Sequence, residues 1–537
     1  MLAAPASAPT VCGRAGLGQG TRFNRGNDAM RNRFARTHEQ GRQQHSHDPH
    51  QRFHAIEALE VRRMFAAYAA IGFGGIDSDD DDSAQGVATD AAGNVYVSGT
   101  FSGTADFQPG SGRTLLTSES SLDNFVAKYT PQGRLVWARR FGGADDLQDQ
   151  AQEGTAGRLA VDSKGNVYVT GYFESTRDFD PGSGFAILDA DAQFSGFVLK
   201  LDARGRFQWA RTIGIDGGST GTAIAVDEED AVYVTGFYDE DLEIPIAGNR
   251  VVDLNNEGSR DIFVARLTPA GEFTWARGIG DKGSDVGLGI AARNGAVYVS
   301  GSFESEVDFD PDPRRGSVLN GTDVDGFVLK LTAADGKFTW ARDFTGDGLE
   351  TASSLAIAPS GDVWVTGLFN SDNFDLDPGR NQRLATTNGK SDVWLTKLSS
   401  AGRFLVGHAM GGRGFDGGAD ITTDAGGNVY LTGFYSGSFD AAPGARTFRL
   451  ATAQTRNFNA FVEKLTSAGT FVWARAAGGQ DDTFGAGIAV GAGRVYVSGS
   501  YFKSADFNPG AGKKTLTSNG ERDGYLFLLT SDKGLLA

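Results

Sequence analysis

The chain has 537 residues, a net charge of −17 and a single cysteine, Cys12. A strongly acidic protein repels nucleic acid and anionic membrane surfaces, so neither is expected as a partner. No apolar run approaches the roughly 20 residues of a membrane span, and a single cysteine leaves no disulfide within the chain.

The first 53 residues are predicted to form a disordered tail. They are rich in Gly, Arg, Gln and His and show neither helical nor alternating apolar periodicity. The tract 38–50 contains four histidines that fit either a metal-binding segment or a solvated low-complexity tail. We favour the solvated tail. The four are His38, His45, His47 and His50.

Residues 54–64 resemble the LEPR-XLL motif, which occurs near the N-terminus of many large bacterial surface or exported proteins. Leu59, Glu60, Arg62 and Arg63 match that motif in kind, whereas Val61 stands where the family has proline. The resemblance implies an exported protein. A short amphipathic helix leading into the next domain is the alternative interpretation.

From about residue 65 the sequence is a repeat. A segment of the type Val-Tyr-Val-Thr-Gly occurs seven times, and the steps between its closing glycines are 72, 65, 65, 66, 66 and 66 residues. We number the repeats 1 to 7 by these glycines. They are Gly99, Gly171, Gly236, Gly301, Gly367, Gly433 and Gly499.

Each repeat predicts four short antiparallel strands. In repeat 2 these are 159–162, 167–169, 196–201 and 207–211, with tight turns at 163–166 and 202–205. A long loop joins the second strand to the third. Four strands in a period of this length are typical of a β-propeller blade. Small residues in the first strand suit the innermost position around the channel.

The chain ends predict a closed ring. The seventh repeat stops after its third strand, 524–529, and residues 66–75 resemble the fourth strand of repeat 1 down to a shared Phe-Gly-Gly ending. We therefore predict an all-β, seven-bladed β-propeller over 65–535, with four antiparallel strands per blade. An N-terminal strand completes the last blade as a 3+1 latch, which removes exposed sheet edges. We expect a monomer.

The elements Gly165 to Gly171, Asp178-Phe179-Asp180-Pro181-Gly182 and Trp209-Ala210-Arg211 recur in one order at one period. With these elements the chain resembles the SBBP family of bacterial β-propeller repeats. The resemblance covers about residues 65–530. It implies the propeller fold and an exported or cell-surface setting, with no chemistry attached.

One end of the predicted propeller carries long, acidic loops. In repeat proteins the face with the longest loops is usually the one that binds a partner. Carboxylates in quantity suit Ca²⁺, although no segment has EF-hand spacing. The alternative is that these aspartates cap turns. The Ca²⁺ candidates are Asp79, Asp80, Asp81, Asp82, Asp145, Asp146, Asp481 and Asp482.

The Asp-Phe-Asp-Pro-Gly loops are placed on the same acidic face. We favour turn capping by their aspartates, with the phenylalanine packed inward. The loops begin at Asp106, Asp178, Asp308 and Asp506, with looser forms at Phe374 and Phe439.

Enzymatic interpretations find little support. The only histidine of the repeats, His408, falls on an outermost strand, so a Ser-His-Asp triad lacks its base. The Gly-to-Trp spacing of four differs from a sialidase Asp-box and indicates a structural bulged turn. Trp364 and Trp394 fit packing between blades better than sugar stacking.

We therefore expect a non-catalytic exported protein that binds a protein or glycan partner through the acidic loop face. A carboxylate-based hydrolase or lyase at the channel mouth and a purely structural surface module are the alternatives.

Overall fold

A computed structural model describes residues 70–76, 80–108, 112–119, 121–144, 158–190, 193–312, 314–442, 444, 447–452 and 456–537. The predicted tail at 1–53, the motif at 54–64, and Asp79, Asp145 and Asp146 lie outside these ranges. Every regular element in the described ranges is a β-strand, which confirms the all-β prediction.

The first strand of each repeat is rich in small residues. These strands are β2 (Ser83–Thr89), β8 (Leu159–Val161), β14 (Ser219–Val226), β20 (Val286–Arg293), β24 (Glu350–Ile357), β30 (Asp416–Thr423) and β36 (Thr483–Gly491).

The second strand contains the Val-Tyr-Val-Thr-Gly segment. These strands are β3 (Val95–Phe101), β9 (Val167–Phe173), β15 (Val232–Tyr238), β21 (Ala296–Asp308), β25 (Val363–Phe369), β31 (Val429–Ser436) and β37 (Arg494–Asp506).

The third strand is almost wholly buried at its C-terminal half. These strands are β6 (Leu122–Tyr129), β12 (Ser195–Leu201), β18 (Asp261–Leu267), β22 (Val318–Thr332), β28 (Asp392–Leu398), β34 (Phe458–Leu465) and β38 (Thr515–Thr530).

The fourth strand carries the Trp-Ala-Arg element in most repeats. These strands are β7 (Leu135–Ala144), β13 (Phe207–Ile213), β19 (Phe273–Ile279), β23 (Phe338–Phe344), β29 (Phe404–Gly412) and β35 (Phe471–Gly479).

Within each repeat the strands pair antiparallel in chain order, as in β8, β9, β12 and β13. Hydrophobic clusters lie between consecutive repeats rather than inside single ones; one joins Tyr168 and Trp209 of repeat 2 to Val232 and Phe263 of repeat 3. Four-stranded antiparallel sheets packed face to face are a β-propeller arrangement, so the predicted propeller architecture is confirmed.

The last and first repeats are also in contact. Ala489 and Tyr496 of repeat 7 share a cluster with Val87 and Val95 of repeat 1. The hydroxyl group of Tyr496 donates to the carbonyl of Pro131 at 3.4 Å.

The third strand of repeat 7 has an N-terminal partner. Strand β1 (Ala70–Gly75) pairs antiparallel with β38, with Ala70 opposite Phe527 and Phe73 opposite Gly524. The C-terminal residues join the same edge, since Leu536 bridges to Leu529. This strand edge is therefore covered from both directions of the chain.

The predicted long loop between second and third strands is not irregular. It contains a small hairpin, which in repeats 4 and 7 continues β21–β22 and β37–β38. The separate hairpin strands are β4 (Thr104–Asp106) with β5 (Leu115–Thr117), β10 (Thr176–Asp178) with β11 (Ile187–Asp189), β16 (Leu242–Ile246) with β17 (Arg250–Leu254), β26 (Phe374–Asp375) with β27 (Leu384–Ala385), and β32 (Ser438–Asp440) with β33 (Arg449–Ala451).

The tight turn before the second strand explains the recurring Gly-Asn-Val-Tyr. In repeat 2, Oδ1 of Asp162 accepts hydrogen bonds from the backbone N–H groups of Lys164 and Asn166, both at 2.9 Å. Its Oδ2 accepts from the Asn166 amide at 2.7 Å and from the Tyr168 hydroxyl at 3.1 Å. Gly165 adopts φ +78°, a conformation open to glycine. One aspartate thus ties the turn to the following strand.

Candidate functional site

Three candidate Ca²⁺ ligands lie together where repeats 7 and 1 meet. Asp81 forms a bidentate ion pair with Arg522, at 2.5 and 2.9 Å. Asp82 is buried and accepts from the Gly75 N–H at 2.6 Å and the Ser102 N–H at 3.2 Å. Burial, and then the negative charge of Asp523, raises the pKa of Asp82 to about 8. Asp80 is also buried.

Asp481 and Asp482 lie at a different place, where repeats 6 and 7 meet. Asp481 pairs with Lys503 at 2.9 Å, and Asp482 accepts the backbone N–H of Phe458 at 2.9 Å. The described candidates therefore occupy two separate junctions. In the described ranges no three His, Cys, Asp or Glu side chains are grouped so that they could hold a metal ion.

The Asp-Phe-Asp-Pro-Gly loops form the tips of the small hairpins, and their first aspartates cap them as we favoured. Oδ1 of Asp178 accepts from the N–H groups of Asp180 and Ala186, at 3.0 and 2.8 Å. Phe179 is fully buried. The same double cap occurs at Asp106, Asp308, Asp375, Asp440 and Asp506.

The placement of these tips on the acidic face is wrong. The carbonyl of Phe107 accepts from the hydroxyl of Tyr129, which lies at the far end of β6 from the loop. The carbonyl of Leu376 likewise accepts from Thr396. The hairpins thus turn back along the flank of the sheets, and their carboxylates do not gather at the channel mouth.

The register of the two looser forms also needs correction. The sequence places the two looser forms by their phenylalanines, Phe374 and Phe439, whereas in the structure the capping role of the first aspartate falls to Asp375 and Asp440. Phe439 precedes that aspartate and Ala441 follows it, whereas repeat 1 has Ala105 and Phe107 there, all four buried. The large side chain thus precedes the aspartate in repeat 6 and follows it in repeat 1, and in both repeats a buried phenylalanine fills the space beneath the hairpin.

The Trp-Ala-Arg element connects each repeat to the next. Trp137 Nε1 donates to the carbonyl of Ala203 at 3.2 Å, and Arg139 Nε donates to the carbonyl of Gly205 at 3.0 Å. A Cβ on Gly205 would lie 2.9 Å from the Trp137 ring. The turn is bulged between the third and fourth strands, as predicted. The Gly-to-Trp motif is therefore a structural contact between repeats.

His408 stands in β29 at the position of Arg139, on the fourth strand as predicted. A Cβ on the next turn's glycine, Gly469, would lie 2.9 Å from His408 Nε2. Burial, and then the charge of Arg383, lowers the pKa of His408. Trp364 and Trp394 are completely buried between repeats, which rules out sugar stacking on either ring.

An ion pair joins the first strands of distant repeats. Arg158, at the start of repeat 2, lies 3.3 Å from Oδ2 of Asp420 in β30. Asp420 also accepts from Ser354 Oγ at 2.7 Å and from the Ile488 N–H at 2.9 Å. This carboxylate binds side chains or backbone of repeats 2, 5 and 7, so the innermost strands are cross-linked. No motif or spacing in the sequence indicates this contact.

A groove of about 730 Å³ lies on the flank between repeats 3 and 4. Its floor is β19 around Arg277 and Gly278, and its walls are Leu254 on one side and the hairpin tip of repeat 4 on the other. Arg314 and Lys337 line it and are largely exposed. Its volume falls within the usual range of ligand sites.

No protein family profile matches the chain. Among curated proteins it is similar to an uncharacterized WD repeat-containing protein, L264, of Acanthamoeba polyphaga mimivirus (21% identical over 472 residues, 72% of this chain and 33% of that protein). It is also similar to the regulatory protein FlaEY of Caulobacter vibrioides (25% over 323 residues, 45% of this chain and 32% of that protein). The chain spans about a third of the length of these relatives.

Solved structures give low similarity scores. The Dos1 propeller has a TM-score of 0.36 at 10% identity, covering 88% of this chain and 97% of its own. Quinohemoprotein alcohol dehydrogenase from Comamonas testosteroni has 0.36 at 13%, covering 88% and 78%. In the described ranges, no helix is long and apolar enough to span a membrane.

Proposed function

We propose that this chain is a non-catalytic, exported or cell-surface scaffold of the SBBP type that binds a protein partner. We further propose that it is a seven-bladed ring, with β1 completing the last blade as a latch. Support for the ring comes from the cluster shared by repeats 7 and 1 and from the pairing of β1 with β38. A glycan partner is a second possibility at the same surface.

The observation that carries partner binding is the flank groove. It is an open, roomy surface whose lining includes the exposed side chains of Arg314 and Lys337, paired with Asp312 and Asp335. At the loop end, proposed from the sequence as the binding face, Asp81 and Asp481 are likewise engaged in ion pairs. Similarity to a WD repeat-containing protein supports a scaffold role.

The experiment is selection of a random-peptide display library on the immobilised full chain. We expect enriched peptides whose binding falls at least tenfold on the double substitution Arg314→Glu and Arg315→Glu. Arg204→Glu, on an exposed turn outside the groove, is the matched control and should bind as the parent does. Enriched peptides that bind the double variant equally well would place the contact elsewhere, and failure to enrich any peptide would contradict the scaffold proposal.

Ca²⁺ at the loop end stays a prediction, for Asp79 to Asp82, Asp145, Asp146, Asp481 and Asp482. Its test is thermal unfolding with Ca²⁺ and with chelator. We expect a higher Tm with Ca²⁺ that is lost in an Asp80→Asn, Asp82→Asn variant. Identical melting curves with and without Ca²⁺ would remove the ion from the proposal.

The alternatives are a carboxylate-based hydrolase or lyase at the channel mouth and a purely structural module. Asp420, a carboxylate of the inner strands, does not favour the enzyme, because it is engaged in contacts with Arg158 and Ser354 that hold the strands together. A structural module would show neither peptide nor ion binding in the two experiments above.

A further inference from the structure

Polar side chains recur at the loop end of each contact between repeats. The first buried residue of a third strand faces the start of the next repeat's first strand. At three successive contacts both residues are acids, and the residues immediately before them form backbone bridges between the repeats: Asp261 with Asp285, Asp325 with Glu350, and Asp392 with Asp416.

All six carboxyl groups are buried, with at most 1% exposure. In the described part of the chain, none of them forms an ion pair with a cationic side chain. Four of their oxygens accept no hydrogen bond at all, namely Asp261 Oδ1, Asp325 Oδ1, Glu350 Oε2 and Asp416 Oδ2. Two ionised carboxylates cannot share a dry site without a cation or a proton between them.

In the described ranges, two other positions of this kind have a balanced charge or no charge. Asp123 holds the same strand position in repeat 1 and pairs with the Arg140 guanidinium at 2.8 Å. The contact between repeats 2 and 3 has Ser195 and Ser219, which carry no charge.

The contact between repeats 7 and 1 also brings two acids together, Asp523 and Asp82, but there every carboxyl oxygen has a donor. Asp523 accepts from the hydroxyl groups of Ser518 at 2.8 Å and Tyr501 at 3.3 Å. The two oxygens of Asp82 accept backbone N–H groups, as described above. The three successive pairs differ in leaving oxygens without a donor.

A proton fits these sites better than a metal ion. Ca²⁺ takes six to eight oxygen ligands, and the described residues place no three acidic, histidine or cysteine side chains together for it. Glu350 and Asp325 are within hydrogen-bonding reach of each other, and each has one oxygen without a partner. One proton satisfies both oxygens at once.

We propose that at neutral pH the contact between repeats 4 and 5 holds a shared proton, with the carboxylic acid of Glu350 donating to the carboxylate of Asp325, so that acid strengthens this contact and base weakens it. At the contact between repeats 4 and 5, the proton sits on Glu350 Oε2 and is donated to Asp325 Oδ1. The proton comes from solvent and forms the O–H bond of the Glu350 carboxyl group; no other covalent bond changes.

The titration of these groups agrees with that arrangement. Burial is the main cause that raises the pKa of Glu350 to about 8 and that of Asp325 to about 6. Burial likewise raises the pKa of Asp285 to about 7 and of Asp416 to about 8. The other charged groups that act on the pairs are acidic and work in the same direction: Glu257, Asp281, Glu304, Asp343 and Asp347.

The sign of the pH effect follows from linkage. A carboxyl group whose pKa is raised on folding takes up a proton when the chain folds. The stabilisation by the shared proton is therefore fully present below the unfolded pKa of about 4. It falls as the pH rises to about 8, above which it levels off.

The experiment compares urea unfolding of the full chain and a Glu350→Gln variant from pH 5 to pH 9. A glutamine amide donates to Asp325 without needing a bound proton. We expect the unfolding constant of the parent to rise about tenfold more per pH unit than that of the variant between pH 5 and 8, the effect of one proton. The variant should also lose part of the infrared carbonyl band of protonated carboxyl groups at pH 7.

Asp123→Asn is the matched control, because its carboxyl group pairs with the Arg140 guanidinium. It should lower stability without flattening the pH dependence. Equal pH slopes for the parent and Glu350→Gln would overturn the proposal. So would Ca²⁺ that stabilises the parent at pH 8 and leaves the variant unchanged, since a cation would then occupy the pair. If Glu350→Gln does not fold, Asp325→Asn provides the same comparison from the other side of the pair.

Discussion

At the scale of single residues, the glycine before each tryptophan has a specific task. Gly271 adopts φ +83°, and a Cβ there would lie 2.7 Å from the indole ring of Trp209 in the preceding repeat. The residue therefore serves both the turn and the contact between repeats. Gly295 adopts φ +72°, and a Cβ there would have no atom within 4 Å, so this glycine serves its turn alone.

These two glycines separate the two effects. Gly295→Ala should lower the free energy of unfolding by about 1–2 kcal/mol, the cost of a left-handed backbone. Gly271→Ala should cost about 1–3 kcal/mol more, because the indole ring must also move. Urea denaturation measures both, and equal losses would show that the ring contact contributes nothing.

The sequence predicted this turn because its glycine recurs at one position of the repeat. It predicted the packing of Trp364 and Trp394 because each replaces another aromatic residue at a fixed position. It did not predict that Trp137 and Arg139 donate to the turn of the following repeat. Periodicity locates equivalent positions, but it does not say which repeat supplies the partner. In repeat 1 the buried phenylalanine, Phe107, follows the capping aspartate, whereas in repeat 6 Phe439 precedes it. The sequence analysis missed this difference because it aligned the loops on their phenylalanines.

At the scale of elements, β1 pairs with a strand from the opposite end of the chain. Phe73 packs against Phe107 and Phe125, with ring centroids 5.8 and 5.5 Å apart. Gly524 lies directly beneath it, since a Cβ there would come too close to the Phe73 ring. The Phe73 side chain of β1 therefore fills a pocket formed by Phe107, Phe125 and Gly524.

Phe73→Ala should therefore lower the free energy of unfolding by about 3–5 kcal/mol through the cavity it leaves. Val136→Ala, at a position 50% exposed on β7, should change it little. Deletion of 70–75 should in addition cause association, seen by light scattering, because the edge of β38 is then open. A deletion variant that melts like the full chain would contradict the latch.

The four-stranded repeat was predicted from its recurring apolar runs and turns. The partner of the N-terminal strand was predicted because the Phe-Gly-Gly ending of that strand matches the fourth strand of repeat 1. The small hairpins were not. Their strands have two to five residues, too few for an alternating pattern to show. Their direction along the flank depends on contacts such as Phe107 with Tyr129, which no local signal encodes.

At the scale of the whole molecule, Asp420 is a shared anchor of the inner strands. It contacts Arg158, Ser354 and the Ile488 N–H, which belong to three other repeats. Removing it leaves a partly buried guanidinium and two polar groups without their partner.

Asp420→Ala should lower the free energy of unfolding by about 1–3 kcal/mol, because the lost hydrogen bonds are only partly replaced by water. Asp253→Ala, on an exposed hairpin position, is the control and should be near neutral. If the two substitutions shift the urea midpoint equally, the inner anchor has no role in stability.

The pairing of β1 with β38 has a consequence for biosynthesis. Ala70 is translated long before Phe527, so β1 has no strand partner until β38 has been made. Until then this apolar segment lacks the strand that covers it. A chain cut short before Phe527 therefore keeps β1 unpaired, and the defect lies hundreds of residues from the truncation.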